Sequence, residues 1–497
     1  MTRLWHAESL LAPWLVDARL SGVAVRGIAL DSRDVSAQGL FLAVAGHRAH
    51  GLDFLDQALA AGAAIVLYEP DPARPDQAIA DQCERAGAIA IPRAGLGAIA
   101  SGIAGRFHGE PSQALRVIAV TGTDGKTSVA HYIAQLVEAL HGAAAVMGTV
   151  GWGRPGHLAE STHTTADAVA VQARLAALRD AGMQTVVMEV SSHALAQHRV
   201  DAVGFDTAVL THVGRDHLDY HGSAEAYRAA KRRLFAWPTL RRQVLNIDDA
   251  VGRDLAARPL SDAGVVTYSQ AQPATLRLHS CELGPDGLDV AIDHAGQRYA
   301  EALPLIGRFN AINALAALGA VMDGGNTRAA IDAIAGLQPV PGRMERCAAA
   351  GAPLVVVDYA HTAGALAAAL EALRPHVTGR LRVVFGCGGD RDPGKRPLMG
   401  AAAGRLADDL ILTSDNPRTE SPGAIIEAVR AGCPEPDDCR VIEDRAAAIT
   451  AAINDAGPTD GVLIAGKGHE TRQWIGTTAH AFSDREIAAG LLSRRAG

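Results

Sequence analysis

The chain has no Cys-x-x-Cys pair. Its six cysteines, Cys83, Cys281, Cys347, Cys387, Cys433 and Cys439, are scattered. That spacing excludes a disulfide frame and a thiolate zinc site, and it implies reduced thiols in a cytoplasmic protein. A surplus of positive charge is also missing. The formal net charge is −8, which argues against broad nucleic-acid binding but leaves room for a local anion site. No apolar run is long and charge-free enough to cross a bilayer, and the first residues carry no h-region, so neither membrane span nor secretory signal is expected. What the chain does have is length and apolar content. With 497 residues, 48% of them hydrophobic, it exceeds one ordinary core, and roughly two to four domains are expected.

One stretch organises the rest. Residues 117–120 form a short β-branched run that reads as a buried parallel strand. The chain then turns through Gly122, Thr123, Asp124 and Gly125 and leaves as a helix from Lys126, with Val129, Ile133, Leu136, Val137 and Leu140 at helical spacing. Glycines let successive N–H groups face one point, and the helix N-terminus adds its positive dipole end, so the stretch reads as a phosphate seat for ATP, with an ordinary glycine-rich strand–helix turn as the alternative. Lys126 would reach the β- and γ-phosphates, with the Thr127 hydroxyl on Mg²⁺ and Ser128 beside it.

Around this loop the sequence reads as three α/β domains, 1–96, 97–342 and 343–497. The first has strands at 23–30, 39–46 and 64–68 and a helix at 52–61. The second alternates strands and helices, which implies a largely parallel sheet covered on both faces. Within it, residues 161–165 are rich in hydroxyls and read as the cap of a helix starting near Ala166. Glu189 ends an apolar strand, where ligands meet open α/β sheets, and fits either a Mg²⁺ ligand or a strand-end salt bridge. Asp216, His217, Asp219 and His221 crowd one loop and suit zinc or a second Mg²⁺. Lys231 lies in a helix at 223–235 and by itself reads as an exposed lysine. Asn310 or Asn313 either caps a helix or meets adenine. Residues 340–346 read as a hinge. The third domain has strands at 354–357, 381–385, 409–413 and 461–465, each ending in a polar segment. These carry Asp358, then Asp390 and Arg391, then Asp415, Asn416, Pro417 and Arg418, then Gly466 and Glu470. Four such ends on one sheet edge make a crevice.

The short loop Gly122-Thr123-Asp124-Gly125-Lys126-Thr127 resembles that of the Mur ligase and folylpolyglutamate synthetase superfamily. Asp31-Ser32-Arg33, with Gly39-Leu40-Phe41 and Gly46-His47, resembles the N-terminal uridine-nucleotide domain of the Mur ligase type that adds the third residue of the peptidoglycan stem peptide. Residues 188–195 match the same type. Asp415-Asn416-Pro417-Arg418 resembles the mark of the form that uses meso-diaminopimelate instead of L-lysine. The pattern more often has Asn where Asp124, His163 and His212 stand, and Pro-Asp where Ala363-Gly364 stand.

The resemblance covers the whole chain and implies an α/β fold of three domains: a small UDP-binding domain, a central P-loop domain and a Rossmann-like C-terminal domain. It implies an ATP-dependent ligase that phosphorylates a D-Glu carboxylate of UDP-N-acetylmuramoyl-L-alanyl-D-glutamate and couples it to meso-diaminopimelate. By the resemblance, Leu30, Ser32, His47, Arg48, Ala49, His163, Thr164, Thr165, Ser191, Gln197 and Arg199 touch the nucleotide-sugar peptide. Asn313 meets adenine, Asp358 holds ribose and Arg343 reaches the ATP phosphates. Thr127, Glu189, His217 and a CO₂-derived carbamate on Lys231 hold Mg²⁺. Arg391, Asp415, Asn416, Pro417, Arg418, Gly466 and Glu470 bind diaminopimelate, with Asp415 and Asn416 accepting from its ammonium and Arg418 gripping its carboxylate. A monomer acting on small molecules, with no nucleic-acid or membrane partner, is expected. A related amide ligase for L-lysine or L-glutamate and a non-catalytic nucleotide-binding regulator are the other readings.

Overall fold

Alternation along the N-terminal strands sorts their side chains onto two faces. In the computed structural model, which describes residues 4–47, 49–347, 349 and 351–496, Gly27–Ala29, Gly39–Ala43, Ala63–Tyr68 and Ile89–Pro92 form a parallel four-stranded sheet. Leu40, Leu42, Ile65 and Leu67 enter one core. Phe41, Ala43, Val66 and Tyr68 enter the other. Helix Leu96–Phe107 packs in the first of these cores, beyond residue 96. The single strand expected at 23–30 is broken at Arg26. Ala24–Val25 pairs antiparallel with Trp5–His6, while Gly27–Ala29 joins the sheet. Arg26 gives both its N–H and its Nε to Gln38 instead of continuing one ladder.

Contact clustering divides the chain into two compact units, 1–267 with 319–321, and 268–318 with 322–497. The first unit also holds the P-loop sheet, in the order His157–Ala159, Trp152–Arg154, Ala144–Met147, Thr185–Glu189, Arg116–Thr121, Phe205–Leu210, Arg242–Asn246. Its five strands from Ala144–Met147 to Arg242–Asn246 are parallel. The P-loop strand is therefore central. Glu189 pairs with Val120 and Leu210 with Thr121, so three strands deliver their polar sequels to one edge.

In the second unit the expected alternation of strand and helix fails. Leu276–Gly284, Gly287–His294 and Gln297–Leu303 form an antiparallel meander. Leu288, Val290 and Ile292 are buried while Asp289 is exposed, a period of two that needs no helical crossover. Helix Arg308–Val321 follows. The last sheet runs Glu345–Cys347, Leu354–Asp358, Gly461–Ala465, Leu381–Phe385, Asp409–Leu412, Arg440–Val441, parallel except for the first strand. The four strands expected there are adjacent. Val355, Val357, Val384, Val462 and Ile464 face one core, and Val356, Val383, Phe385 and Leu463 the other. No helix among the described residues is long and apolar enough to cross a membrane.

Candidate active site

The loop after Arg116–Thr121 is shaped by close contact with its neighbour strand. Gly122 has φ +155°, and a Cβ there would lie 1.8 Å from Thr211 Oγ1, so only glycine fits. Thr211 Oγ1 donates to the carbonyls of Thr121 and Asp124, and the Thr123 N–H donates to His212 O at 2.5 Å. Gly125, at φ +80°, precedes helix Lys126–Leu140. Lys126 Nζ folds back onto the carbonyls of Gly122 and Thr123 at 3.1 and 2.8 Å. The ammonium is thus held over the loop where phosphates would enter. Ser128 follows Thr127 in the first turn of that helix.

Thr127 Oγ1 donates to Glu189 Oε2 at 2.9 Å. The opposite carboxylate oxygen, Oε1, accepts the Thr149 N–H at 2.8 Å. Glu189 is buried and is held by hydroxyl and amide donors, surroundings that are compatible with the expected Mg²⁺ ligand. Thr149 Oγ1 also meets Thr164 Oγ1 at 3.0 Å. Thr165 Oγ1 donates to Glu189 O and accepts the Ser191 N–H. Arg199 donates to Thr165 O and to Gln197 Oε1, and Gln197 Nε2 donates to Tyr220 Oη at 3.0 Å. The His47 ring sits 5.3 Å from Tyr220. Six of the residues assigned to the nucleotide-sugar peptide, His47, Thr164, Thr165, Ser191, Gln197 and Arg199, therefore join one chain that ends at Glu189. His163 does not join it, because its ring turns to Thr162 in an exposed segment. Leu30 packs against the N-terminal core, and buried Ser32 donates to Gln57. Ala49 accepts the Gly46 N–H. Arg48 lies outside the described residues. Residues 161–165 do not cap the helix: it begins at Ala168, with Asp167 accepting from the N–H groups of Val169 and Ala170.

Lys231 departs most from its expected surface position. Helix Ala224–Arg232 carries it inward to 1% exposure, where Nζ donates to Gly122 O at 2.6 Å and lies 4.7 Å over the Tyr227 ring. Burial, with Lys126 beside it, pulls its ammonium down to about 7. A neutral amine at this pH is the nucleophile that CO₂ requires, so the residue fits carbamylation. His217 is in the left-handed region, φ +50°. Its ring meets those of His193 and Tyr227 edge-on, with centroids 4.7 and 6.3 Å away. Among the described residues no group of three or more His, Cys, Asp or Glu is arranged to hold a metal ion; around 216–221 the rings pack on one another. Burial and the neighbouring His217 and His221 push His193 down to about 4, which keeps it neutral. His212 faces the P-loop through its backbone, while its ring pairs with Asp249 at 3.1 Å. That hydrogen bond raises its pKa above the usual value, with Asp124 contributing.

In the second unit, Asn313 donates to Asn310 Oδ1, and Asn310 donates to Ile306 O. Arg343 stacks 4.8 Å over Tyr359. Asp358, raised by burial, accepts the N–H groups of Met344 and Ala360, so its carboxylate pins the 342–344 turn. The crevice at the four strand ends is densely connected. Gly466, at φ +116°, presses against Asp415, and a Cβ would lie 2.6 Å from Oδ2. Burial raises the Asp415 carboxyl, opposed by Arg445 and Lys467. Glu470 Oε2 accepts from Asn416 Nδ2 and Lys467 Nζ. Asn416 Oδ1 accepts from Lys467 and the Trp474 N–H. Arg418 follows Pro417 at φ +51°, and its Nη1 donates to Gly389 O at 2.7 Å. Arg391 is exposed.

Sequence reasoning missed several of these groups. Tyr220, Tyr227, Thr149 and Thr211 lie in or beside motifs, but only tertiary packing gives them partners. Lys467 sits inside Gly466-Lys467-Gly468-His469-Glu470, and a charged residue at a strand end was the available signal. Arg445, fully buried, pairs with Asp484 through two hydrogen bonds and also donates to Ser414 O and Ala465 O. It ties two strand ends together beneath the crevice.

Comparison with known proteins agrees along the chain. Residues 24–107 match the Mur ligase family catalytic domain, 120–321 the Mur ligase middle domain, and 342–468 the Mur ligase glutamate ligase domain. A UDP-N-acetylmuramoyl-L-alanyl-D-glutamate–2,6-diaminopimelate ligase of Alkalilimnicola ehrlichii is 48% identical over 500 residues, covering 99% of this chain and 100% of the relative. The enzyme of that name in Pseudomonas aeruginosa is 48% identical over 471 residues, with 94% and 95% covered. A solved structure of a ligase of the same name is similar at 34% identity and a TM-score of 0.71, with 99% of each chain covered.

Proposed function

The chain belongs to the Mur ligase family, and from that premise we propose that it joins 2,6-diaminopimelate to UDP-N-acetylmuramoyl-L-alanyl-D-glutamate at the expense of ATP. The observation that carries the amino-acid choice is the crevice itself. A guanidinium, Arg418, and a carboxylate, Asp415, follow strand Asp409–Leu412, and a second carboxylate, Glu470, follows Gly461–Ala465, the two strands flanking Leu381–Phe385 in one sheet. Diaminopimelate keeps a zwitterionic end that does not react. Arg418, with Arg391, pairs with its carboxylate, and Asp415 and Glu470 accept from its ammonium. Lysine has no carboxylate at that end and would leave a guanidinium unpaired, at a cost of about 1–3 kcal/mol.

The chemistry follows from charge. A carboxylate and an ammonium do not condense in water. The loop N–H groups at 122–128 and Lys126 bind the ATP phosphates, so that a D-Glu carboxylate oxygen attacks the γ-phosphorus and ADP departs. The amine of diaminopimelate, having lost its proton, attacks the acyl carbonyl, and phosphate leaves with the bonding pair. Mg²⁺, which Thr127, Glu189, His217 and a carbamate on Lys231 would hold, supplies neutralisation of the meeting anions. Thr165, Ser191, Gln197 and Arg199 position the acceptor peptide beside Glu189. An amino-acid panel in a phosphate-release assay, with the UDP-linked dipeptide as acceptor, tests the reading. Turnover with meso-diaminopimelate should exceed that with L-lysine or L-glutamate, and faster turnover with either of the latter would overturn it.

A further inference from the structure

The segment that carries Asp415, Asn416 and Arg418 lies beyond its strand, which ends at Leu412. Its backbone finds partners elsewhere, on the hairpin of Arg472–Ile475 and Thr478–Ala481. Gln473 Nε2 donates to Ser414 Oγ at 3.1 Å and to Asp415 O at 2.7 Å. The Trp474 N–H donates to Asn416 Oδ1 at 3.0 Å. The Arg418 N–H donates to Trp474 O at 3.1 Å, and Arg418 O accepts the Gly476 N–H at 2.7 Å. The hairpin strand thus runs beside residues 414–418, joined to them by a single parallel bridge that sets Arg418 opposite Ile475.

Two features separate this from ordinary scaffolding. Arg418 occupies the left-handed region, a conformation that is unfavourable for a non-glycine residue and persists only where its surroundings impose it. Here hydrogen bonds from the hairpin hold both its N–H and its C=O, while Gly389 O fixes its guanidinium. In addition, the hairpin buries little. The strand Thr478–Ala481 is exposed along its whole length, and in the other strand only Gln473 is buried, with Trp474 and Ile475 40% and 49% exposed. Hydrogen bonds to the 414–418 segment, not core packing, are what this element contributes.

We propose that the hairpin sets amino-acid specificity by templating the backbone that aims Arg418 and Asn416, with Gln473 as its positioning residue. The inference rests on the reading of this crevice as the diaminopimelate pocket. In Gln473→Leu, the KM for meso-diaminopimelate should rise at least tenfold and the preference for it over L-lysine should fall at least tenfold. The KM values for ATP and the UDP-linked dipeptide should stay within twofold. Added to Arg418→Ala, the same change should cost less than a further twofold, because both act through one guanidinium. An unchanged preference, a uniform loss across all substrates, or full additivity would overturn the proposal. Hydrogen exchange on the wild-type chain gives a second test that needs no variant. Saturating diaminopimelate should protect the amides of Asn416 and Arg418 and those of 474–476 together, and protection of Asn416 and Arg418 alone would contradict the template. If the wild-type enzyme itself fails to prefer diaminopimelate, the pocket reading fails. If it prefers it and Gln473→Leu does too, only the template fails.

Discussion

Lys231 gives the sharpest quantitative expectation. Its shift from 10.5 to about 7 corresponds to a penalty of about 5 kcal/mol on the ammonium form, set by burial under the P-loop and by Lys126. An ordinary lysine at pH 7 is about 0.03% free base, whereas Lys231 is about half free base, a gain of roughly a thousandfold. Only the free base attacks CO₂. In metal-free enzyme at fixed dissolved CO₂, followed by ¹³C incorporation, the initial rate of carbamate formation should rise about tenfold from pH 6 to pH 8 and then level off. An unperturbed lysine would rise about a hundredfold over that interval and keep rising to pH 10. Lys231→Met should show no incorporation and lose turnover. A rate that climbs tenfold per unit through pH 9, or intact mass showing an unmodified chain under saturating CO₂, would refute the account of this site.

Other consequences can be measured separately. Glu189→Gln removes the charge that accepts from Thr127 and Thr149; kcat should fall about a hundredfold or more, with a higher Mg²⁺ requirement in a metal titration. Gly122→Ala would force a Cβ onto Thr211, so ATP binding by calorimetry should be lost, and Thr211→Gly in the same chain should restore part of it. His212 is raised by Asp249, so their pairing contributes stability fully below the unfolded histidine value near 6.5 and loses it as pH climbs through the raised one. Melting curves of wild type and His212→Asn should therefore differ most near pH 6 and converge at alkaline pH.

What could be read from residue order was whatever local chemistry decides. The β-branched run before Gly122, the glycines of the turn and the helical spacing after Lys126 marked the P-loop, although Thr211 and His212 complete its shape. Polar groups after apolar runs marked Glu189 and the four C-terminal strand ends, and parallel pairing brought those ends together. Long-range packing decided the rest. The helix bearing Lys231 was legible, but not that its inner face meets the Gly122 carbonyl. The meander at 276–303 was missed although Gly284-Pro285-Asp286-Gly287 is a turn and Leu288, Val290 and Ile292 alternate, because the surrounding strand–helix rhythm was extended through it. Nothing local to Asn416 shows that Lys467 and the Trp474 N–H donate to its side-chain oxygen. The hairpin at 472–481 carries no motif, and its hydrogen bonds to 414–418 appear only in the folded chain.

The claim on which everything else depends is a division of labour: one part of the chain makes the carboxylate reactive, and another chooses the amine that captures it. Replacing Arg418 by alanine and trapping the activated acid with hydroxylamine separates the two. Hydroxamate should form at close to the wild-type rate while incorporation of meso-diaminopimelate falls at least a hundredfold. Undiminished incorporation, or loss of hydroxamate in the same proportion, would contradict it.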